Sequence, residues 1–359
     1  MEMAGIQSLN LKWRTEVTSV TPDSVVLHRR PAEPNGNDHE VEVIYRNDLA
    51  TDTDHEIEGQ RFRTLLRPPG RRLTTLATVN DLHLGETECG RHDAYPIGPV
   101  LSSRPGEDPY PEVMALGAAT EMAALGVDAV IAKGDLTAAG LPEEMHAFLK
   151  AMAPVADRLT WMRGNHDVAA GGAIPGPAGV PGIALHHPGV TLALLDTTVE
   201  EEPGGAVRSE QLEWLDEVGA QADRPVMVFG HHQPWDSGEG SRSKPYGGIA
   251  AADSEALAAV FSRRPRLVGY FAGHTHRNRV RYLPTTGSVP WVEVASTKDF
   301  PGGWAEYRIY EGGIVQIFHR TSTPAALSWS ERTRCLFGGL FPVYSFGTLG
   351  DRCFTLAVD

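Results

Sequence analysis

Five short polar segments of the 359-residue chain carry residue types that bind metal ions. They contain six of its fourteen histidines, and each follows a run that reads as a buried strand. Carboxylate, imidazole and amide-oxygen ligands suit borderline divalent ions such as Mn²⁺, Fe²⁺ and Zn²⁺. The sequence therefore predicts a metal site built from Asp81-Leu82-His83, Gly134-Asp135, Gly164-Asn165-His166-Asp167, Gly230-His231-His232-Gln233-Pro234 and Gly273-His274-Thr275-His276.

The spacing within the segments suits chelation. In an extended segment alternate side chains point to one face, so that Asp81 and His83 can bind the same ion. The pair His274 and His276 allows the same geometry, or it can serve two neighbouring ions on a turn. A glycine such as Gly134 lets the loop turn tightly next to an ion. Each motif alone is common in surface turns, and it is their number and order that carry the prediction.

The elements that must position these segments alternate between strands and helices from about residue 73. Such alternation indicates a layered α/β domain with functional residues on loops beyond the carboxyl ends of the strands. Strands 291–295, 304–310 and 314–319 lack intervening helices and indicate a second sheet. The earlier predicted strands are 76–80, 127–132, 159–162, 190–195, 225–229 and 267–272, and the predicted helices are 110–125, 142–152 and 209–218.

The flanking regions differ from this central part, and a length of 359 residues allows about two domains. Residues 1–72 contain β-rich runs separated by polar turns, which favours a small N-terminal β-sandwich. Residues 73–320 form the predicted domain that carries the site. Residues 321–359 are rich in aromatic side chains, and we expect them to pack on the core as a C-terminal extension, with a lid or a dimer contact as the alternative.

The composition narrows the range of partners and compartments. The formal net charge of −14 does not favour a protein that binds polymeric nucleic acid or an anionic membrane surface. The longest apolar runs are far shorter than the roughly 20 residues that a bilayer span needs. The first residues show neither the basic nor the apolar region of a signal peptide, and the three cysteines are sparse. We therefore expect a cytoplasmic protein.

The ordered set of segments resembles the calcineurin-like metallophosphoesterase superfamily over residues 73–320. Within it, Gly134-Asp135-Leu136-Thr137 and Gly273-His274-Thr275-His276 look most like the class III cyclic-nucleotide phosphodiesterase branch. The resemblance implies an α/β fold, a four-layer αββα metallophosphoesterase sandwich with two bound metal ions of Mn, Fe or Zn. Purple acid phosphatases are also similar, but residues 136–140 lack the metal-binding tyrosine of that group.

The resemblance also implies a role for each residue of the site. Asp135 would bridge the two ions, and His166, held by Asp167, would protonate the leaving alkoxide. The usual spacing His-x-Pro favours His232 as a ligand, although His231 comes first after the strand, and this choice stays open. The first ion would be bound by Asp81, His83 and His276, and the second by Asn165, His232 and His274.

These features together predict an enzyme that hydrolyses phosphoesters with a metal-bridging hydroxide. A small phosphodiester such as a 3′,5′-cyclic nucleotide is the expected substrate. The alternative is a phosphomonoesterase acting on a small sugar or nucleotide phosphate, for which Arg91 or Arg277 could supply an extra cation. A non-catalytic interaction module would have lost ligands, but every expected position is filled. We expect no nucleic acid polymer and no membrane as partner, and a homodimer is left open.

Overall fold

Two six-stranded sheets lie face to face at the centre of the protein. The structure, a computed structural model, describes residues 13–32, 41–91, 97–169, 174, 180–242 and 247–358. In spatial order the first sheet contains β17 (Cys353–Ala357), β16 (Gly313–Arg320), β15 (Gly303–Tyr310), β6 (Arg72–Val79), β7 (Ala129–Lys133) and β8 (Leu159–Met162). The second contains β13 (Arg279–Tyr282), β14 (Pro290–Glu293), β12 (Leu267–Ala272), β11 (Val226–Phe229), β10 (Val190–Leu194) and β9 (Ile183–His187).

Alternating side chains of the strands fill three apolar layers. In β7, Ala129 and Ile131 face the second sheet, whereas Val130 and Ala132 face the helices on the outside. Both faces of such a strand are buried, which explains its continuous apolar sequence. Helices α1 (Tyr110–Leu125) and α2 (Pro142–Ala151) cover the first sheet, and α3 (Ser209–Gln221) and α4 (Ala251–Arg263) cover the second. The predicted four-layer αββα arrangement is confirmed.

The strands that precede the polar segments run in parallel. In the first sheet β6, β7 and β8 are parallel neighbours, and in the second sheet β10, β11, β12 and β14 are. The carboxyl ends of parallel neighbours meet at one edge of a sheet. The turns after β6, β7, β8, β11 and β12 are therefore brought to the same end of the two packed sheets.

The N-terminal region forms small antiparallel sheets, consistent with the predicted β-sandwich. A three-stranded sheet contains β1 (Trp13–Val20), β2 (Val25–Pro31) and β3 (Glu42–Arg46), and a hairpin contains β4 (Asp54–Ile57) and β5 (Gln60–Arg63). They share a core of buried apolar side chains, among them Leu27 and Phe62. Residues 1–12 and 33–40 of the predicted domain lie outside the described residues.

The C-terminal extension contacts the core in two places, through helix packing and through strand pairing. Helix α5 (Pro324–Arg332) packs on α1 through Tyr110 and Trp329, whose stacked rings lie 4.1 Å apart. Further along, β17 pairs with β16, so the first sheet continues past the predicted boundary at residue 320. The remaining helices are α6 (Phe341–Ser345), α7 (Leu349–Arg352) and the 3₁₀ turns Ala153–Arg158, His166–Val168, Ser237–Glu239 and Thr333–Gly339. Among the described residues, none of these helices has the length and apolar character of a membrane span.

Candidate metal centre

The candidate ligands meet at the carboxyl ends of five parallel strands. Their side chains form four overlapping groups, in each of which the potential ligand atoms lie within 4.8 Å of one another. All the predicted ligands that are aspartate or histidine belong to at least one group. The groups are His231, His232 and His274; Asp81, His83 and His276; His83, Asp135 and His166; and Asp81, Asp135 and His231.

Asp135 lies at the middle of the cluster. Its Oδ2 atom is 3.5 Å from Nε2 of His83 and 3.3 Å from Nε2 of His231. Its other oxygen, Oδ1, accepts a hydrogen bond of 2.9 Å from the backbone N–H of His166. One carboxylate therefore contacts residues from three other elements, which is the geometry that a shared ligand requires.

Asp81 occupies the second acidic position. Its carboxylate accepts the backbone N–H of His274 at 3.0 and 3.1 Å, and its Oδ1 atom lies 3.6 Å from Nε2 of His276. Both carboxylates are buried, with Asp81 0% and Asp135 2% exposed. Two buried carboxylates close to several imidazoles form a strongly polar pocket inside an otherwise apolar sandwich.

The backbone at the site is strained. Asp81, His83, Asp135, His274 and His276 adopt φ values between 49° and 67°. Residues other than glycine rarely adopt this left-handed backbone conformation, and each instance costs about 1–3 kcal/mol. Half of the ten such residues among the described parts of the chain are candidate ligands. This concentration of strain is typical of a functional site, where the surrounding fold holds a costly geometry in place.

Several ligand atoms at the site are buried and have no hydrogen-bond partner among the described residues. They are Nε2 of His83, His231 and His232, and Oδ1 of Asn165. A buried polar atom without a partner costs about 1–3 kcal/mol, so four in one place need an explanation. Imidazole nitrogens, an amide oxygen and two carboxylates form a donor set that suits Mn, Fe or Zn. The residues present therefore fit bound metal ions.

Hydrogen bonds at the Nδ1 atoms of His231 and His232 orient these two rings. Nδ1 of His231 lies 2.8 Å from the carbonyl oxygen of Lys133, and Nδ1 of His232 lies 2.8 Å from the hydroxyl of Thr197. A proton on Nδ1 leaves the lone pair of Nε2 available to a metal ion. Gly134 is required here, because its φ is +93° and a Cβ would lie 2.5 Å from Nδ1 of His231.

The charges of the cluster shift its pKa values strongly. Burial alone would raise the pKa of Asp135, but His231, His166 and His83 hold it well below its usual range. Burial disfavours the charged form of His231, but the Asp135 carboxylate outweighs this and raises the pKa of His231 to about 9. Burial lowers the pKa of His274 to about 4 and that of His83 well below 6.5. The rings of His83 and His274 are thus neutral at pH 7, whereas that of His231 carries a proton that the Asp135 carboxylate stabilises.

The structure brings both His231 and His232 to the site. His231 lies against Asp135, whereas the ring of His232 lies 4.7 Å from that of His274. The sequence favoured His232 by its spacing but left the choice open, and the structure adds a contact between Asp135 and His231. Its position directly after β11 was the signal for its proximity to Asp135.

Asp167 does not hold the ring of His166, contrary to the prediction. Its carboxylate accepts backbone N–H groups of Gly164, Leu136 and Thr137 at 2.8–3.2 Å, together with the Thr137 hydroxyl at 2.6 Å. Burial, followed by the nearby charge of Asp135, raises the pKa of Asp167 to about 6. The carboxylate therefore joins the loop after β7 to the loop after β8.

Sequence reasoning missed a group of charged residues that lie beside the cluster and also line the cleft. Oδ2 of Asp299 lies 3.3 Å from Nδ1 of His276, and Oε2 of Glu86 lies 3.7 Å from Nδ1 of His83. Lys298 forms an ion pair with Glu86. Glu86 was detectable because it follows His83 by three residues, whereas Asp299 comes from the loop after β14 and carries no local signal. Carboxylates in these positions orient metal-binding imidazoles and increase their basicity.

The two arginines considered for phosphate binding differ in their surroundings. Arg91 lines the cleft above the cluster and donates to Glu88 at 2.6 Å. Arg277 donates to the buried Glu293 at 2.8 Å and lies over the ring of Tyr344. Of the two, Arg91 is the one that borders the open cleft.

Comparison with known proteins was consistent with this geometry. The family model of the calcineurin-like phosphoesterases matches residues 74–278. A glycerophosphodiester phosphodiesterase, GpdQ of Enterobacter lignolyticus, is 27% identical over 159 residues, which is 42% of this chain and 56% of the relative. The chain thus matches little more than half the length of that relative.

Two further proteins are similar to this chain. A 3′,5′-cyclic adenosine monophosphate phosphodiesterase, CpdA of Vibrio vulnificus, is 24% identical over 202 residues, 52% of this chain and 72% of the relative. The crystal structure of a dimetal phosphatase from Danio rerio superposes with a TM-score of 0.52 at 15% identity, covering 70% of this chain and 97% of that one. At this identity the structural match supports the fold alone.

Proposed function

The chain belongs to the calcineurin-like phosphoesterase family, and from this premise we propose that it is a metal-dependent hydrolase of small phosphoesters. The preferred substrate in this proposal is a phosphodiester such as a 3′,5′-cyclic nucleotide. The observation that carries the proposal is the set of buried, unpartnered ligand atoms around Asp135. A cytoplasmic location stays a prediction from the sequence, and the homodimer stays open.

We assign the ligands to two ions that share Asp135. Asp81, His83 and His276 would hold the first ion, and Asn165, His274 and the His231-His232 pair the second. The contacts of Oδ2 of Asp135 with His83 on one side and His231 on the other support this division. Two metal ions bound by these residues would lower the pKa of water and offset the charge of the phosphoester.

His166 is the proposed general acid. Its ring lines the cleft, and Nδ1 lies 2.9 Å from the carbonyl oxygen of Ala138, which fixes the orientation of the ring. Nε2 is then the nitrogen that delivers a proton to the leaving alkoxide. By donating this proton, His166 would prevent the build-up of negative charge on the departing oxygen.

The preference for a diester is supported by the names of two relatives. One is described as a glycerophosphodiester phosphodiesterase and the other as a cyclic-AMP phosphodiesterase. Hydrolysis of a monoester by the same residues is the alternative outcome, which Arg91 at the edge of the cleft would favour by binding a second negative charge.

A chelator and add-back experiment tests the proposal. The purified full chain is treated with EDTA, dialysed and assayed with and without Mn²⁺ against bis(p-nitrophenyl) phosphate, p-nitrophenyl phosphate and cyclic AMP. We expect the treatment to abolish activity, Mn²⁺ to restore it, and the diesters to be turned over faster than the monoester. Activity that survives without metal would refute the mechanism, and faster turnover of the monoester would replace the diesterase with the phosphomonoesterase.

A further inference from the structure

A cleft of about 950 Å³ opens over the candidate metal centre. The ring of His166, the turn that carries His274 and His276, and the C-terminal extension all line this cleft. Small-molecule sites in proteins range from about 300 to 1,000 Å³. The cleft is therefore much larger than a phosphate group requires, and it leaves room for a substantial organic group.

Three aromatic side chains of the extension face this space, and we call them the aromatic wall: Phe337, Phe341 and Tyr344. The ring centroids of Phe337 and Phe341 lie 5.6 Å apart, and those of Phe341 and Tyr344 lie 6.3 Å apart. Phe341 is only 5% exposed and supports the other two, whereas Tyr344 is 47% exposed. Tyr344 is thus the most exposed ring of the wall and Phe337 is half-buried, whereas Phe341 belongs to a cluster of buried apolar side chains.

The aromatic wall is fixed relative to the metal centre. The hydroxyl of Tyr344 donates to the carbonyl oxygen of Thr275 at 2.9 Å, and Thr275 lies between two candidate ligands. The next residue, Ser345, accepts the backbone N–H of Asn278 at 2.9 Å. These bonds join the extension directly to the turn after β12, so the distance between the wall and the metal ligands is set by the fold.

The backbone of Phe337 is itself strained. Its φ of 51° lies in the left-handed region, and it is followed by two glycines with positive φ, Gly338 and Gly339. A bulky residue in this conformation is uncommon, and such strain is concentrated at functional sites. The turn thus places an aromatic ring beside the cleft at a conformational cost.

We propose that the aromatic wall binds the organic group of the phosphoester, and that the enzyme prefers esters carrying a planar aromatic group over esters of small aliphatic alcohols. This inference rests on the proposed function and specifies its substrate. A nucleobase is the natural planar group of that size. Stacking of a base on an aromatic side chain contributes a factor of about 5 to 150 in affinity.

The test compares two ligands with the same phosphate group. Adenosine 5′-phosphate and ribose 5-phosphate differ by the base, so their interaction with the metal ions is matched. Each is used as a competitive inhibitor of bis(p-nitrophenyl) phosphate hydrolysis by the Mn²⁺-loaded chain, and each is titrated by calorimetry. We expect the nucleotide to bind at least tenfold more tightly, and equal affinities would overturn the proposal.

Substitutions locate the effect on the wall. Phe337→Leu and Tyr344→Ala should each bring the ratio of the nucleotide's affinity to that of ribose 5-phosphate closer to one, mainly by weakening the binding of the nucleotide. Tyr344→Phe retains the ring and should preserve the ratio. Val343→Ala is the matched control, because Val343 is 84% exposed on the same short helix and does not line the cleft. A ratio that Phe337→Leu and Tyr344→Ala leave unchanged would also overturn the proposal.

Failure of this inference is distinguishable from failure of the proposed function. If the Mn²⁺-loaded chain hydrolyses no phosphoester, the proposed function fails, and calorimetry still measures the two affinities. If it hydrolyses bis(p-nitrophenyl) phosphate but binds both ligands equally, only the assignment of the aromatic wall is wrong.

Discussion

Nδ1 of His166 lies 2.9 Å from the carbonyl oxygen of Ala138, in the loop that follows β7. Because a carbonyl oxygen only accepts hydrogen bonds, Nδ1 must carry the proton, and Nε2 is left to exchange one with the substrate. The backbone N–H of the same residue donates to Asp135. The proposed acid and the proposed shared ligand are thus positioned by one short 3₁₀ turn.

Replacement of His166 by alanine should spare the bound metal and slow the reaction. General acid catalysis contributes about 10²–10⁴-fold, and the contribution is largest when the leaving alkoxide is strongly basic. The turnover of diesters by the variant, relative to the wild type, should therefore fall progressively as the pKa of the leaving group rises. The exposed His146 on α2 provides the control, His146→Ala. A loss that is equal for all leaving groups would contradict the role of His166 as the acid.

Asp167→Asn should act on stability as well as activity. The carboxylate accepts four hydrogen bonds from two loops, and an asparagine has only one acceptor oxygen. We expect the free energy of unfolding to fall by about 1–3 kcal/mol, measured by denaturant titration of the metal-free chain. The exposed control His146→Ala should leave this value unchanged, and an equally stable Asp167→Asn variant would disprove the structural role.

Asp135→Asn should remove both ions and the activity together. Substitution of a residue that hydrogen-bonds to a metal ligand typically lowers metal affinity or activity about 10–100-fold. The loss of a ligand that both ions share should lower them further. The metal content of the variant is measured by inductively coupled plasma mass spectrometry after dialysis against Mn²⁺. Asp223→Asn, at a side chain that is 75% exposed, is the control. Full metal content with normal turnover would exclude Asp135 as the shared ligand.

The pair His231→Ala and His232→Ala separates the two neighbouring histidines. His231 contacts Asp135 at 3.3 Å, whereas the Nδ1 atom of His232 contacts Thr197 and its ring lies near His274. We expect the His231 variant to lose more of the second ion. Metal-to-protein ratios measured across a Mn²⁺ titration decide the question. If only the His232 variant loses metal, the His-x-Pro spacing was the better guide.

Acid stability should depend on the buried Glu306 of β15. Burial alone would raise its pKa, but hydrogen bonds from His319 and Arg308 lower the pKa from 4.5 to about 2. A carboxyl with a lower pKa in the folded state contributes stability that is complete above pH 4.5 and lost as the pH falls towards 2.

Thermal unfolding between pH 5 and about pH 3 measures this contribution. The wild-type Tm should fall more steeply over that range than the Tm of Glu306→Gln, which cannot titrate. Glu213→Gln, an exposed position on α3, should follow the wild-type curve. Parallel curves of Tm against pH for the wild type and Glu306→Gln would show that this carboxyl does not cause the loss of stability at acid pH.

The fold and the cluster of ligands were predictable from the sequence because their signals are local. Each polar segment directly follows an apolar run, and parallel strands carry such segments to a common edge. The family resemblance inferred from those segments is confirmed by the match over residues 74–278. The order of the motifs was enough to identify the family before any distance was known.

Other features depend on contacts between distant parts of the chain. Asp167 lies beside His166, but its partners Leu136 and Thr137 are about thirty residues earlier. Asp299 reaches His276 from a later loop, and Tyr344 reaches Thr275 from the C-terminal extension. The hydrophobic periodicity and the motif spacing of the sequence do not indicate such contacts. The sequence led us to expect packing of the extension on the core, with a lid or a dimer contact as the alternative, but it gave no sign of which residues would line the cleft.

Beyond the aromatic wall, β17 returns to the edge of the first sheet and pairs with β16. Residues 321–352 are therefore anchored at both ends by backbone pairing that is independent of the polar turns. If the aromatic wall binds the organic group as proposed, amino-acid changes in this stretch would alter which esters are accepted and leave the metal ligands in place. Evolutionary divergence in selectivity would then be recorded in a part of the chain well separated from the motifs by which the family is recognised.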